Sequence, residues 1–265
     1  MPLWEWFYRY YFRVTTDGWH NFPDWGSVLV VGSHNGGTAA PDMHMLFYDW
    51  FRRFGTQRPA YGLTFRELFQ SPRTARQAAK IGALPAEPRV ATAALQRGAA
   101  VLVYPGGVED LFRPHSQRHQ IKLAGRKGFI KLALREGVPI VPIVSTGAHD
   151  TLIVLTDCQE QVKQLKEWGL PWSEWAWNNV FPIYLGLPWG LALGPVPNLP
   201  LPIPIHTRVC APVQFERYGR KAATDHRYVD ACYEKVRSHM QSSLDELVIE
   251  QGRDHCFIES RNSLS

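Results

Sequence analysis

Cysteine is scarce and scattered. Cys158, Cys210, Cys232 and Cys256 are the only four, and no two are close enough to form a CxxC pair or a zinc-type spacing. The expectation is reduced thiols in a cytosol-facing protein, without a disulfide framework. His115 and His119 stand four apart, but the glutamate of an HExxH pair is missing. They read as part of a solvated loop, and no metal is expected. There is no GxxxxGK[ST] phosphate loop, no GxGxxG fingerprint and no GxSxG nucleophile elbow. The N-terminal "MPLWEWFYRYYFRV" has no apolar run of membrane-spanning length and no small-residue cleavage site after it. No Ser/Gly-rich linker divides the chain, so one domain is expected. Lys and Arg total 29 against 24 Asp and Glu, a formal charge of +5, yet the cations form no single run. Nucleic acid is therefore not an expected partner, whereas an acidic membrane surface or a phosphorylated small molecule is.

Apolar material is plentiful: 45% of the 265 residues are hydrophobic and 12% aromatic, which excludes disorder over most of the length and supports a substantial core. "SVLVVGS" is a β-branched run ending at small residues, as a buried strand does. Pro41 suits the first position of a following helix, Arg52 and Arg53 its last turn, and Gly55 its cap. Met43, Leu46, Phe47, Trp50 and Phe54 fall on one face of it. "EPRVATAALQRG" before "AAVLVYP", and "GRKGFIKLALREG" before "VPIVPIV", repeat the alternation of helix and strand. The expected fold is a single α/β domain with a largely parallel or mixed central sheet flanked by helices. Pro139 and Pro142 mark the last of these strands as an edge strand or an irregular one.

A further helix is expected at about residues 157–168. Beyond it, "WNNVFPIYLGLPWGLALGPVPNLPLPIPI" is too broken for a transmembrane helix and more apolar than a surface loop, suiting a cover over an apolar pocket or a dip into a bilayer. "IHTRV" and "VQFER" read as short strands and residues 225 to about 250 as a closing helix. Residues 1–19, where aromatics surround Arg9 and Arg13, read either as a membrane-contact segment at headgroup depth or as a helix packed on its own domain. Residues 20–252 form the expected domain and 253–265 a flexible tail.

The stretch "VGSHNGGTAAPD" places His34 at the C-terminal end of a strand, where α/β folds set their sites, and Asp42 in the first turn of the next helix. If Asp42 accepts a hydrogen bond from one imidazole nitrogen, the other becomes a proton acceptor. Gly36 and Gly37 allow close approach of backbone N–H groups to a substrate oxygen. Taken alone, the stretch reads better as a polar turn. "VLVYPGGVED" then brings Gly106, Gly107 and Glu109 to the same sheet edge, and "LAGRKGF" sets Arg126 and Lys127 at a helix start, where cations and free N–H groups hold phosphate.

In this order, "GSHNGGTAAPD", "GALPA", "VLVYPGGVED", "GRKGFIKLALREGVPIVPIVSTGA" and "LPLPIPIHTRV" resemble the glycerolipid and lysophospholipid O-acyltransferase family, in particular its diacylglycerol- and monoacylglycerol-acyltransferase-like branch. The resemblance covers roughly residues 20 to 215. It implies that His34 is the general base of an HxxxxD-type motif and Asp42 its orienting carboxylate. Seven residues separate the two where the general pattern has four, a longer version like that of the branch with His followed by Gly-Gly. Gly106 stands where many relatives have the glutamate of FPEG, which leaves Glu109 between a substrate contact and a structural one. "YGLTFRELF" falls at the family's acceptor-binding block and makes Arg66 a candidate contact, or else a solvated helix arginine. A literal HxxxxD, His44 to Asp49, also occurs, but its side chains point roughly 140° apart on one helix and cannot touch.

The implied reaction moves a fatty acyl group from acyl-CoA to a hydroxyl of a glycerolipid or lysophospholipid, with no metal, no cofactor and no acyl-enzyme. The implied location is the cytoplasmic face of a membrane, peripheral or monotopic. A lipid-binding protein without turnover, and a thioesterase or lipid hydrolase, are the alternatives.

Overall fold

The computed structural model describes residues 2–24, 26–158, 160, 161, 164, 180–194 and 196–262, with side chains described to residue 252. In chain order the elements are α1 (Pro2–Trp6), β1 (Thr15–Asp17), β2 (Val28–Gly32), α2 (Pro41–Phe54), β3 (Ala60–Thr64), α3 (Pro72–Lys80), β4 (Ala83–Pro85), α4 (Pro88–Gln96), β5 (Ala100–Val103), α5 (Gly107–Leu111), α6 (Gly128–Glu136), β6 (Ile140–Thr146), β7 (Ile153–Asp157), β8 (Pro182–Gly186), β9 (Gly190–Leu193), β10 (His206–Val209), α7 (Arg220–Thr224) and α8 (His226–Asn262). Proline at the first helical position starts α2, α3 and α4, and Gly55 and Gly137 cap α2 and α6.

Seven strands make the main sheet in the order β1-β10-β6-β2-β5-β3-β4. From β6 to β4 the neighbours are parallel, and β10 joins β6 antiparallel with β1 parallel to β10. The mixed α/β sheet read from the sequence is the one observed. β2 lies at its centre and every residue of β2 is buried. Leu29 and Val31 pack with α4, α6 and α8, while Val28 and Val30 pack with Leu46 and Trp50 of α2. Burial on both faces is why this strand reads as an unbroken apolar run.

Several expectations need correction. β6 is no edge strand: it pairs with both β2 and β10. The irregularity expected from Pro142 is present as a bulge, since Val209 faces Ile143 while Val213 bridges Ile140, and the opposing chain carries one extra residue beside the proline. "VQFER" contributes only that bridge and forms no strand. The apolar stretch after residue 180 contains strands, β8 and β9, which with β7 form a second, antiparallel sheet. α8 continues to Asn262, through much of the residues read as a tail. The helix expected at 157–168 lies largely outside the described residues. At the N-terminus Tyr8 and Phe12 are buried with Met45 and Ile205, while Leu3, Trp6 and Tyr10 stay 64%, 48% and 66% exposed.

Candidate active site

β2 delivers its C-terminal end to the middle of the sheet edge, and the chain turns there through residues 33–37 before α2 begins. Gly36 (φ +83°) and Gly37 (φ +65°) hold left-handed backbone. A Cβ on Gly36 would stand 2.7 Å from Thr151 Oγ1, and one on Gly37 2.4 Å from Leu152 Cδ2. Both positions admit only glycine, and the loop is tight and buried rather than open. Its return brings Asp42 to His34, with Nδ1 and Oδ2 3.3 Å apart. The Asp42 side chain is 2% exposed and that of His34 15%. Asp42 Oδ2 also accepts the Asn35 backbone N–H at 3.1 Å, and the α2 dipole favours its charge. With Asp42 holding an Nδ1 proton, Nε2 is left as an acceptor; it makes no hydrogen bond among the described residues.

Tyr104, one residue past β5, stacks on the imidazole with centroids 4.3 Å apart and planes at 24°. Burial, with the charges of Asp42 and Asp110, raises its phenol well above the usual value, so it stays protonated. A Cβ on Gly32 would lie 2.4 Å from Tyr104 Cε1, so glycine at the end of β2 makes room for the ring.

Below the loop lies a buried pair that the sequence reading did not select. Asp110 of α5 accepts the His34 backbone N–H, the Ser33 hydroxyl at 3.0 Å and an Nη1–H of Arg113. Arg113 in turn donates from Nη2 to Asn35 Oδ1 at 2.8 Å and from Nε to the Gln117 carbonyl at 2.9 Å. Both side chains are buried. Burial pushes the Asp110 carboxyl up to about 6, opposed by Arg113, the His34 N–H and Ser33, so it is ionised at neutral pH. Burial lowers Arg113, which nevertheless keeps its charge. The pair fixes the backbone that carries His34.

The other residues singled out from sequence fall around this centre. Gly106 and Gly107 follow β5, the parallel neighbour of β2. A Cβ on Gly106 would stand 2.2 Å from the Lys122 carbonyl and 2.4 Å from Asp110 Cβ, so no glutamate fits at this position. Arg126 does not reach out for phosphate: Nη1 donates to the Pro105 and Gly106 carbonyls at 2.9 and 2.6 Å and Nη2 to Glu109 at 2.6 Å. It braces the turn between β5 and α5, and Glu109 is its partner there. Lys127 is drawn to Asp230 of α8 at 2.8 Å. Arg66 follows β3 on the same sheet edge and pairs with Glu87 at 3.0 Å. The literal HxxxxD pair does not meet: His44 bonds the Ala40 carbonyl and stacks on Trp4, while buried Asp49 binds Trp19, Arg52 and Arg53.

The model of the family described as Diacylglycerol acyltransferase matches residues 85–243, and that of the family described as Acyltransferase matches residues 13–146. An uncharacterized protein of Mycobacterium tuberculosis is 30% identical over 257 residues, 97% of this chain and 67% of its own length. The human 2-acylglycerol O-acyltransferase 3 is 25% identical over 64% of this chain and 46% of its own. Diacylglycerol O-acyltransferase 2 of Bos taurus is 27% identical over 51% and 37%. No solved structure matches the chain.

Proposed function

Because this chain belongs to the diacylglycerol acyltransferase family, we propose that it transfers a fatty acyl group from acyl-CoA to a hydroxyl of a glycerolipid or lysophospholipid at a membrane surface, with His34 as general base and Asp42 orienting it. The observation that carries this reading is the 3.3 Å approach of His34 Nδ1 to Asp42 at the C-terminal end of the central strand. As the acceptor oxygen bonds the thioester carbonyl carbon, its proton passes to His34 Nε2. Collapse of the tetrahedral intermediate breaks the C–S bond, and the departing thiolate takes up that proton from the His34 imidazolium, leaving as the free thiol and returning the base to neutral. The steps require neither a metal nor a cofactor. The N–H groups of His34 and Asn35 are already given to Asp110 and Asp42, so Gly36 and Gly37 are the loop donors assigned to the oxyanion.

The test is release of coenzyme A thiol from acyl-CoA with a panel of mono- and diacylglycerols and lysophospholipids. His34→Ala is expected to abolish release that the wild-type chain shows only with an acceptor. Release persisting in that variant removes the mechanism, and release without an acceptor, yielding free fatty acid, makes the protein a thioesterase.

A further inference from the structure

The small antiparallel sheet has two unlike faces. Val154, Tyr184 and Ala192 point inward and are buried with Ala40, Phe112 and Leu152. Leu152 is also what a Cβ on Gly37 would strike, and Thr38 Oγ1 donates to Asn198 Oδ1 at 3.0 Å. The inner face is thereby seated on the loop that carries His34. Among the described residues nothing covers the outer face: Leu155, Leu185, Leu191 and Leu193 are 49%, 41%, 62% and 59% exposed. Leu185 lies directly opposite Leu191 in the ladder, and Ile183 opposite Leu193, so the apolar side chains are contiguous. At its end Trp189 is 58% exposed, with its indole N–H satisfied by the Pro197 carbonyl, and Leu199 extends the patch through its bridge to Leu187.

Residues 180–205 contain no Asp, Glu, Lys, Arg or His. A protein-binding face of this size carries a polar rim and hydrogen-bonding side chains; this one presents aliphatic groups, one tryptophan and, of polar side chains, Thr156 at its edge, the chemistry of a bilayer surface. At its margin Arg13 donates to the Pro202 carbonyl at 2.8 Å and has no carboxylate partner among the described residues, leaving an exposed positive charge for anionic headgroups. Resting on the reading of the site as a glycerolipid acyltransferase, we propose that the outer face of β7, β8 and β9 docks on a lipid bilayer and so presents the His34 loop to an acceptor lying in that bilayer.

The experiment is flotation of the purified chain with phosphatidylcholine vesicles, with and without phosphatidylglycerol, at low and high salt. The wild-type chain is expected to float, more strongly with the anionic lipid, and to stay bound at high salt. Leu191→Asp/Leu193→Asp is expected to lower the bound fraction by about tenfold or more, since each change removes an exposed leucine that would enter the bilayer and adds a charge. Thermal unfolding, and thiol release with a short-chain acceptor dissolved as monomer, should be unchanged, while release with vesicle-embedded acceptor falls with binding. Trp189→Ser, at the turn rather than in the ladder, should weaken flotation in the same direction. Wild-type chain that does not float, or variants that float as it does, would overturn the proposal. So would a wild-type dimer in sedimentation velocity that the double variant dissolves, which makes the face a self-interface. Flotation lost in the variant with no thiol release from any protein and acceptor would uphold the docking face and remove the acyltransferase reading.

Discussion

The ring of Tyr104 lies against the imidazole of His34, 4.3 Å away and nearly parallel to it. One side chain thus sets the plane of the base while Asp42 sets its rotation about that plane. Removing the ring in Tyr104→Leu is expected to lower kcat/KM about two- to tenfold, the equivalent of a stacking contact of 0.5–1.5 kcal/mol. Tyr104→Phe keeps the ring and should keep the rate. Steady-state kinetics of the two variants check this.

Asp110→Asn leaves the buried Arg113 guanidinium without its counter-charge. The expected cost is about 3–5 kcal/mol in urea unfolding at neutral pH. Asp110→Asn/Arg113→Met should cost less than the single change, because the second substitution removes the stranded charge. Both should slow thiol release, since the His34 N–H loses its carboxylate acceptor in each, and Asn35 loses its Arg113 donor in the double variant.

Arg126 is bonded to the turn after β5, so Arg126→Gln is expected to act on the loop rather than on donor affinity. Loss of such charge-assisted bonds predicts a fall in kcat of about tenfold with KM for acyl-CoA within about twofold. A raised KM with kcat unchanged would return Arg126 to the role of phosphate ligand.

His149 is buried, and burial, followed by the nearby positive charge of Arg113, lowers its pKa from 6.5 to about 3. The folded state therefore keeps it neutral where the unfolded chain takes up a proton. Stability from this group is full above pH 6.5 and is lost as pH falls toward 3, about 2 kcal/mol by pH 5. Asp110, raised to about 6, has the opposite slope over part of that range. The His149 contribution is accordingly read as the stability of wild type minus that of His149→Phe in urea unfolding from pH 7.5 to 4.5, a quantity that should decrease as pH falls, by about 2 kcal/mol at pH 5.

Where apolar period and punctuation agreed, the sequence was enough. β2, α2, α4, β5, α6 and β6 all lie where proline, glycine and β-branched runs place them. β8 and β9 were missed because both of their faces are apolar, so no period-2 alternation marks them. β6 was misplaced toward an edge because a proline tolerated at a bulge looks, in one dimension, like one tolerated at an edge.

For the site, a strand end, a tight loop and a helix start are local matters, so residue types alone placed His34, Asp42 and the glycines together, but only the resemblance of the whole motif order made them candidates for chemistry rather than a polar turn. Distinguishing Asp110 from its neighbour Glu109 needed the tertiary structure: the two differ only in the side of α5 they occupy, one buried against the His34 loop and the other in solvent with Arg126. Arg126 and Lys127 likewise read as free cations until the fold supplied the Pro105 and Gly106 carbonyls and Asp230. Charge and chemistry belong to the sequence, but whether a charge is spent inside the protein depends on what the chain folds next to it.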